Sequence, residues 1–453
     1  MQGERRKAKG LPLTGDCILK FDLGEAQRRF YVAYSGGVDS HVLLHLCASI
    51  SRLKDKLTAV YIHHGLQAEA GFWAEHCEKT AKDLGVEFLT LRVNANAAPG
   101  ESPEEAARNA RYTALKSLIN ADDVLLLAQH REDQLETVLL QLFRGSGLRG
   151  LSGMPERVAF GPGIMLRPLL NVPKQAIGDY ADAHQLSWVE DPSNRSNDYD
   201  RNFLRNAVVP LLKQRWPAID KTAARSAKHC ADAQALVEEV ADELFGAVFN
   251  PADKTLCISR LIEHHSRQQQ LIIRHWFRHM GLKMLSQAFV ERILNQVVAA
   301  AGHRDPVLPG QGYSIRRYRD QLYCLTGLYL ADVSQVKQGY VWPAGQTSIE
   351  ISQGRILSCL SSPKGIPREQ WQSAKVEVRF RRGGEKIRLP GREGHHSLKN
   401  LFQEAGIPPW ERDATPLIYL NDKLAAVGDQ WISAAFYSEK NQDCIGFSCR
   451  VKN

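Results

Sequence analysis

Arg29-Phe30-Tyr31-Val32-Ala33-Tyr34-Ser35-Gly36-Gly37-Val38-Asp39-Ser40-His41-Val42-Leu43-Leu44-His45-Leu46 is the stretch on which the reading of the chain turns. The apolar run ending at Tyr34 reads as a buried strand, and the run from His41 as a helix, so Ser35 to Ser40 is a strand-to-helix turn. Adjacent Gly36 and Gly37 let backbone amides turn inward with no side chain in the way, and the helix start adds donors and a positive dipole end. Together these cradle an anion. The hydroxyls of Ser35 and Ser40 can donate to phosphate oxygens. Asp39 would repel phosphate unless a cation lay between them, which points to magnesium. A plain turn with Ser40 as helix cap would use the same residues.

Working outward, Leu57 to His63 and Val124 to Ala128 are two further apolar runs, each followed by a polar turn and a helix-like stretch. The alternation predicts an α/β fold with a doubly wound, mainly parallel sheet. Ligands of such sheets bind beyond the carboxyl ends of the strands, where both Ser35 to Ser40 and His130 to Glu136 fall. After Pro210 the character becomes helical, through Asp220 to Phe245 and Gln268 to Ala300. Beyond Asp332 turns multiply, and alternating Lys375-Val376-Glu377-Val378-Arg379-Phe380 suggests strands in a small α+β C-terminal domain. The expected domains are 1–215, 216–332 and 333–453, catalytic, helical and basic in turn.

The chain has 453 residues, a length that calls for more than one core, and a net charge of +8 that favours polyanions. Much of the surplus sits between Lys375 and Lys399, where eight Lys or Arg face three Glu. Nine scattered cysteines form no C-x-x-C pair, which argues against structural zinc and for a reducing compartment. No apolar run approaches a membrane span, so a cytoplasmic location is expected. Gly145-Ser146-Gly147-Leu148-Arg149-Gly150 fits a dinucleotide fingerprint, but it follows a helical pattern and not a strand, and is set aside.

The hexapeptide Ser35-Gly36-Gly37-Val38-Asp39-Ser40 resembles the loop of the N-type ATP pyrophosphatase superfamily, whose members cleave ATP between the α and β phosphates. Further blocks resemble the bacterial tRNA(Ile)-lysidine synthetases: His64-Gly65-Leu66, Glu104 to Tyr112, His130 to Thr137, Arg144 to Gly147, Asp191 to Asn194 and Arg201 to Arg205. The resemblance extends to the C-terminal blocks Arg379 to Arg392, Ser397 to Glu404 and Gly406 to Asp413. It implies ATP and Mg2+ as cofactors, with Ser35, Gly36, Gly37, Val38, Asp39 and Ser40 around the nucleotide and Asp39 on the metal. It implies tRNA(Ile) with a CAU anticodon and L-lysine as partners, with no DNA or membrane partner. Monomer and homodimer both stay open.

Asp133 and Glu136 are three residues apart, on one face of a helix, and could receive the lysine ammonium; capping and a solvated face are the plain alternatives. The resemblance also implies that Arg108 lines the crevice, where spacing alone suggests a pair with Glu104. Arg201 and Arg205 share another face, able to reach RNA, nucleotide, Asp198 or Asp200. Where the family places His-His-x-Asp-Asp-Gln, this chain has Gln129 and Glu132 in place of the first histidine and first aspartate. The terminal domain would bind tRNA through its Arg and Lys, with Trp410 either stacked on a base or packed in the core. The rivals are a tRNA thiolase, disfavoured for want of a cysteine pair, and a non-enzymatic RNA-binding protein, disfavoured by the intact loop.

Overall fold

Phe30, Tyr31 and Val32 are all buried, and a strand apolar on both faces belongs in the middle of a covered parallel sheet. The computed structural model places β1 (Phe30–Ala33) there, between β2 (Leu57–His63) and β4 (Val124–Leu126), parallel to both. With β3 (Glu87–Arg92), β5 (Arg157–Phe160) and β6 (Gly163–Leu166) the order is β3-β2-β1-β4-β6-β5, and only β5 runs antiparallel. The strand alternation is legible in the packing: Val32, Ala59 and Leu126 face one apolar cluster, Tyr31, Val60 and Leu125 the other. Helices Val38–Ala48 and Lys174–Ala183 contribute Leu43 and Ile177 to the first cluster, and helix Pro103–Leu118 contributes Leu115 to the second. The chain leaves β1 towards β2 and β3, then returns to the opposite side with β4. The order therefore reverses between β1 and β4, and the crevice opens at their carboxyl ends.

The structure describes residues 13–21, 28–65, 70–94, 96, 103–301, 304–327, 339–351, 354–439 and 443–451. The basic first ten residues, Leu66, and the expected boundary at 332/333 lie outside them. The chain divides into two compact units, Met1–Glu239 and Val240–Asn453. Among the described residues no helix is long and apolar enough to cross a membrane.

The expected helices of the middle region exist as Ile219–Val248, Ser266–His279 and Gln287–Arg292, the last running on through a wider π turn. The sequence reading lacked the antiparallel sheet beside them, built in the order Phe249–Asn250, Thr255–Cys257, Gln321–Thr326, Tyr313–Tyr318, Val307–Pro309. Its inner face and the helices share one core through Trp276, Phe277, Ile315 and Leu322. The C-terminal region is rich in antiparallel strands. Val376–Arg379 buries Val376 and Val378 and turns Glu377 and Arg379 outward, as the alternation requires. Trp410 has a packing role: it lies edge-on to Tyr318 and Tyr323, with Arg316 over its ring at 5.5 Å.

Candidate active site

The turn after β1 has an anion-binding shape. Gly36 adopts φ +82, a conformation strained for any residue with a Cβ, and a Cβ there would stand 2.9 Å from the Cys77 sulfur. Gly37 starts the helix Val38–Ala48 and no side chain caps that terminus, so its first amides keep their donors for a ligand. Ser40 is not the cap: its Oγ donates to the Gly37 carbonyl at 2.9 Å and accepts from the Ser35 amide at 3.2 Å. The turn is braced from behind, where the Val189 amide donates to the Gly36 carbonyl and His41 Nδ1 lies 2.9 Å from the Ser187 carbonyl.

His130, at the carboxyl end of β4, joins the two motifs. Its Nε2 lies 3.6 Å from Asp39 Oδ2 and 3.4 Å from Asp133 Oδ2, and its Nδ1 3.4 Å from Glu132 Oε2. Burial disfavours the imidazolium, yet the Asp39, Glu132 and Asp133 carboxylates outweigh it and lift the pKa to about 9. Burial likewise opposes charge on Asp39, but His130, Lys174 and Arg205 hold its carboxyl below the ordinary range. Asp39 Oδ1 is buried and has no hydrogen-bond partner among the described residues. An anionic oxygen left bare inside a polar crevice fits a cation that comes with its ligand. No cluster of three metal-type ligands exists among the described residues, so such a cation would take most of its ligands from phosphate and water.

Two cavities meet at Asp39. One, of about 420 Å3, is lined by Ser35, Ser40, Tyr61, His64, Arg111 and Asp191 among others. The other, of about 640 Å3, is lined by His130, Glu136, Lys174, Arg205 and Lys213 among others. Both volumes suit a nucleotide-sized or smaller molecule.

Asp133 and Glu136 are brought together as their spacing requires, but both are already engaged. Arg205 donates through Nε to Glu136 Oε1 at 2.7 Å, and through Nη2 to Asp133 Oδ1 at 2.7 Å and Glu136 Oε2 at 2.9 Å. Asp133 Oδ2 also accepts from the His130 amide at 2.9 Å, so the capping role is real. Arg201 donates to Thr137 Oγ1 at 3.2 Å. Among the described residues Arg201 turns to Glu136, and Arg205 to Asp133 and Glu136, instead of Asp198 or Asp200. Arg205 is placed by a π-type turn over Leu204–Val208.

Arg108 is exposed with its guanidinium over the Tyr112 ring at 4.9 Å, and does not line the cavity. Arg111, three residues on, takes that place. Among the described residues it enters no ion pair and stands 3.4 Å from His64 Nε2; a helix-periodic motif offers two arginines, and only the fold decides which one reaches the cavity. The two departures from the family pattern are both absorbed. Gln129 Oε1 accepts from Arg167 at 2.8 Å, and Glu132 bonds Lys213 Nζ at 2.7 Å and the Lys174 amide at 2.9 Å. Sequence reasoning missed Arg111, Arg167, Lys174 and Lys213. Cys47 and Cys77 are buried, and burial pushes the Cys77 thiol up to about 12, far from a reactive thiolate.

Comparison with known proteins follows the same outline. Residues 15–212 match the PP-loop domain, 256–323 the TilS substrate binding domain and 376–449 the TilS substrate C-terminal domain. The tRNA(Ile)-lysidine synthase of Methylococcus capsulatus is 41% identical over 412 residues, 90% of this chain and 93% of its own. That of Alkalilimnicola ehrlichii is 39% identical over 407 residues, 88% and 89% of the two chains. Among solved structures, a U34-tRNA thiolase from Methanococcus maripaludis covers 48% of this chain and 76% of its own at 14% identity, with a TM-score of 0.41.

Proposed function

The chain belongs to the tRNA(Ile)-lysidine synthase family, and from that premise we propose that it ligates L-lysine to carbon 2 of the wobble cytidine in the CAU anticodon of tRNA(Ile), at the expense of ATP. The observation that carries this reading is the convergence of an uncapped helix start, the bare Asp39 oxygen and His130 at the one reversal point of the sheet. A thiolase is the weaker alternative, because the chain has no cysteine pair and its crevice-side thiol is held protonated.

In this mechanism the cytidine O2 attacks the α-phosphorus of ATP and pyrophosphate leaves, which makes carbon 2 electrophilic. The lysine ε-amine attacks that carbon and AMP departs. The chain mainly positions and balances charge. Amides of Gly37, Val38 and Asp39 face the phosphates, and Ser35 and Ser40 shape the turn. A bound Mg2+, held by Asp39, would offset the charge of the leaving pyrophosphate. Arg111 is suited to a phosphate or to the carboxylate of lysine. Asp133 and Glu136 would receive the ammonium, and since Arg205 now occupies them, the incoming cation must share or displace that guanidinium. Action on tRNA supports a cytoplasmic location.

The test is incubation of purified protein with ATP, magnesium, labelled lysine and isoleucine tRNA carrying CAU, followed by counting label in acid-insoluble RNA. Label should require ATP and vanish when the wobble cytidine is replaced by uridine. Cleavage of ATP without label would leave the loop chemistry standing and remove lysine as the acceptor's partner.

A further inference from the structure

We propose that the projecting end of the helix Arg131–Phe143, with the turn that follows it to Arg149, seats the single-stranded RNA flanking the reacting base. This rests on the reading of the chain as a tRNA-modifying enzyme and adds where the RNA lies. Along the thirteen-residue helix only Gln134, Leu135 and Glu136 are buried. Its far end carries Leu142 and Phe143 at 54% and 67% exposure, with Leu148 at 40% just beyond. Exposed apolar side chains in one contiguous stretch mark a contact surface more often than an accident.

The chemistry of the stretch selects the partner. From Thr137 to Pro155 there is no Asp or Glu. Arg144 and Arg149 are exposed and enter no ion pair among the described residues. Gly145, at φ +66, and Gly147 have nothing within 4 Å of where a Cβ would stand, so their backbone is open to an approaching strand. The turn is nonetheless built: Ser146 Oγ donates to Gln141 Oε1 at 2.6 Å, and a Cβ on Gly150 would meet the Ser146 Cβ at 2.4 Å. A ring for stacking, two unpaired guanidinium groups, open backbone and no carboxylate suit unpaired nucleotides. A second copy of the chain fits poorly, because a two-fold contact through this patch would set arginines against arginines with no acid to receive them.

The position suits the reaction. Asp133 and Phe143 lie on one helix, about 15 Å apart along its axis, the reach of a few stacked nucleotides at ~3.4 Å each. An RNA strand whose base enters the crevice can therefore lie along the helix and reach the ring.

Filter binding of isoleucine tRNA with a CAU anticodon, alongside its ATP affinity and its sedimentation, tests this. Phe143→Ala should weaken the RNA Kd about tenfold, within the range of one aromatic–base stack, and Phe143→Tyr should restore it. Arg144→Ala with Arg149→Ala should reduce the slope of log Kd against log salt by about 1.4, at ~0.7 per phosphate contact. ATP affinity should not move. RNA affinity within twofold of wild type in all variants would overturn the proposal, as would a loss explained by a change from dimer to monomer. If wild-type protein binds RNA through this surface but transfers no lysine, the reaction reading falls and the surface stands. Lysine transfer with unchanged tRNA binding by the variants means the reverse.

Discussion

The crevice and the C-terminal region use the same ion-pair chemistry to opposite ends. Around Asp39 the charges are drawn from elements far apart in sequence and sunk into the fold: Glu136 is 2% exposed and held by Arg205, and Glu132 at 12% is held by Lys213. In the C-terminal region the pairs lie in solvent, as with Lys375 and Glu377, or Arg368 and Asp443, whose carboxylate is 59% exposed. Exposed pairs add little to stability, whereas breaking a buried one strands a charge in low dielectric. The crevice spends its charges on fixing geometry. The C-terminal surface leaves its charges free to exchange partners, as the proposed tRNA-binding role would require.

The sharpest way to break that contrast is Asp39→Ala, expected to reduce pyrophosphate release about a thousandfold or more, on the scale of losing a main electrostatic group. Turnover near wild type would show that the bare carboxylate does not serve the phosphates. Next is Arg205→Ala, which leaves Glu136 buried without its counterion. Urea unfolding should show a loss of about 3 kcal/mol, largely recovered when Glu136→Ala is added; additive losses would deny the coupling. On the other side of the comparison, Lys399→Ala should leave the melting temperature unchanged. It should lower the salt slope of tRNA binding by about 0.9, one phosphate contact, and an unchanged slope would remove Lys399 from the RNA face.

The smallest effect is one of pH. Burial, with Arg111 and His63 nearby, lowers the His64 pKa to about 4. Between that value and the ordinary 6.5 the unfolded chain holds the extra proton. Stability from this group is thus complete above about 6.5 and is lost as pH falls towards 4. His64→Gln should flatten the acid side of the stability profile by up to one proton, and an unaltered slope would place the titration elsewhere.

What the sequence disclosed follows the range of the forces involved. The turn Ser35 to Ser40 and strands β1, β2 and β4 were legible because backbone preference and apolar runs are written locally. The helices Ile219–Val248 and Ser266–His279 showed their period over many turns. The sheet between them did not, since Thr255–Cys257 and Val307–Pro309 are three residues long and Tyr313–Tyr318 is interrupted by Arg316 and Arg317. β5 was equally silent, with Arg157, Val158 and Ala159 facing solvent. At the site, the carboxylates Asp133 and Glu136 were legible by spacing, but Arg205 is bound to them from about 70 positions away, a distance no periodicity reports. Arg108 and Arg111 are both exposed on one helix, and which of them reaches the cavity is set by how that helix seats, which only the fold records.

The π-type turn at Leu204–Val208 gives the site an unusual exposure to changes in length. Such a turn is an α-helix with one residue too many, the trace left when a single codon is added within a helical stretch. Deleting one residue there would rewind it to α with the flanking turns still in phase, withdrawing the bulge that sets Arg205 against Asp133 and Glu136. Reading frames that preserve the family's signature but lose one codon between Phe203 and Val209 should therefore encode well-recognised, poorly working enzymes.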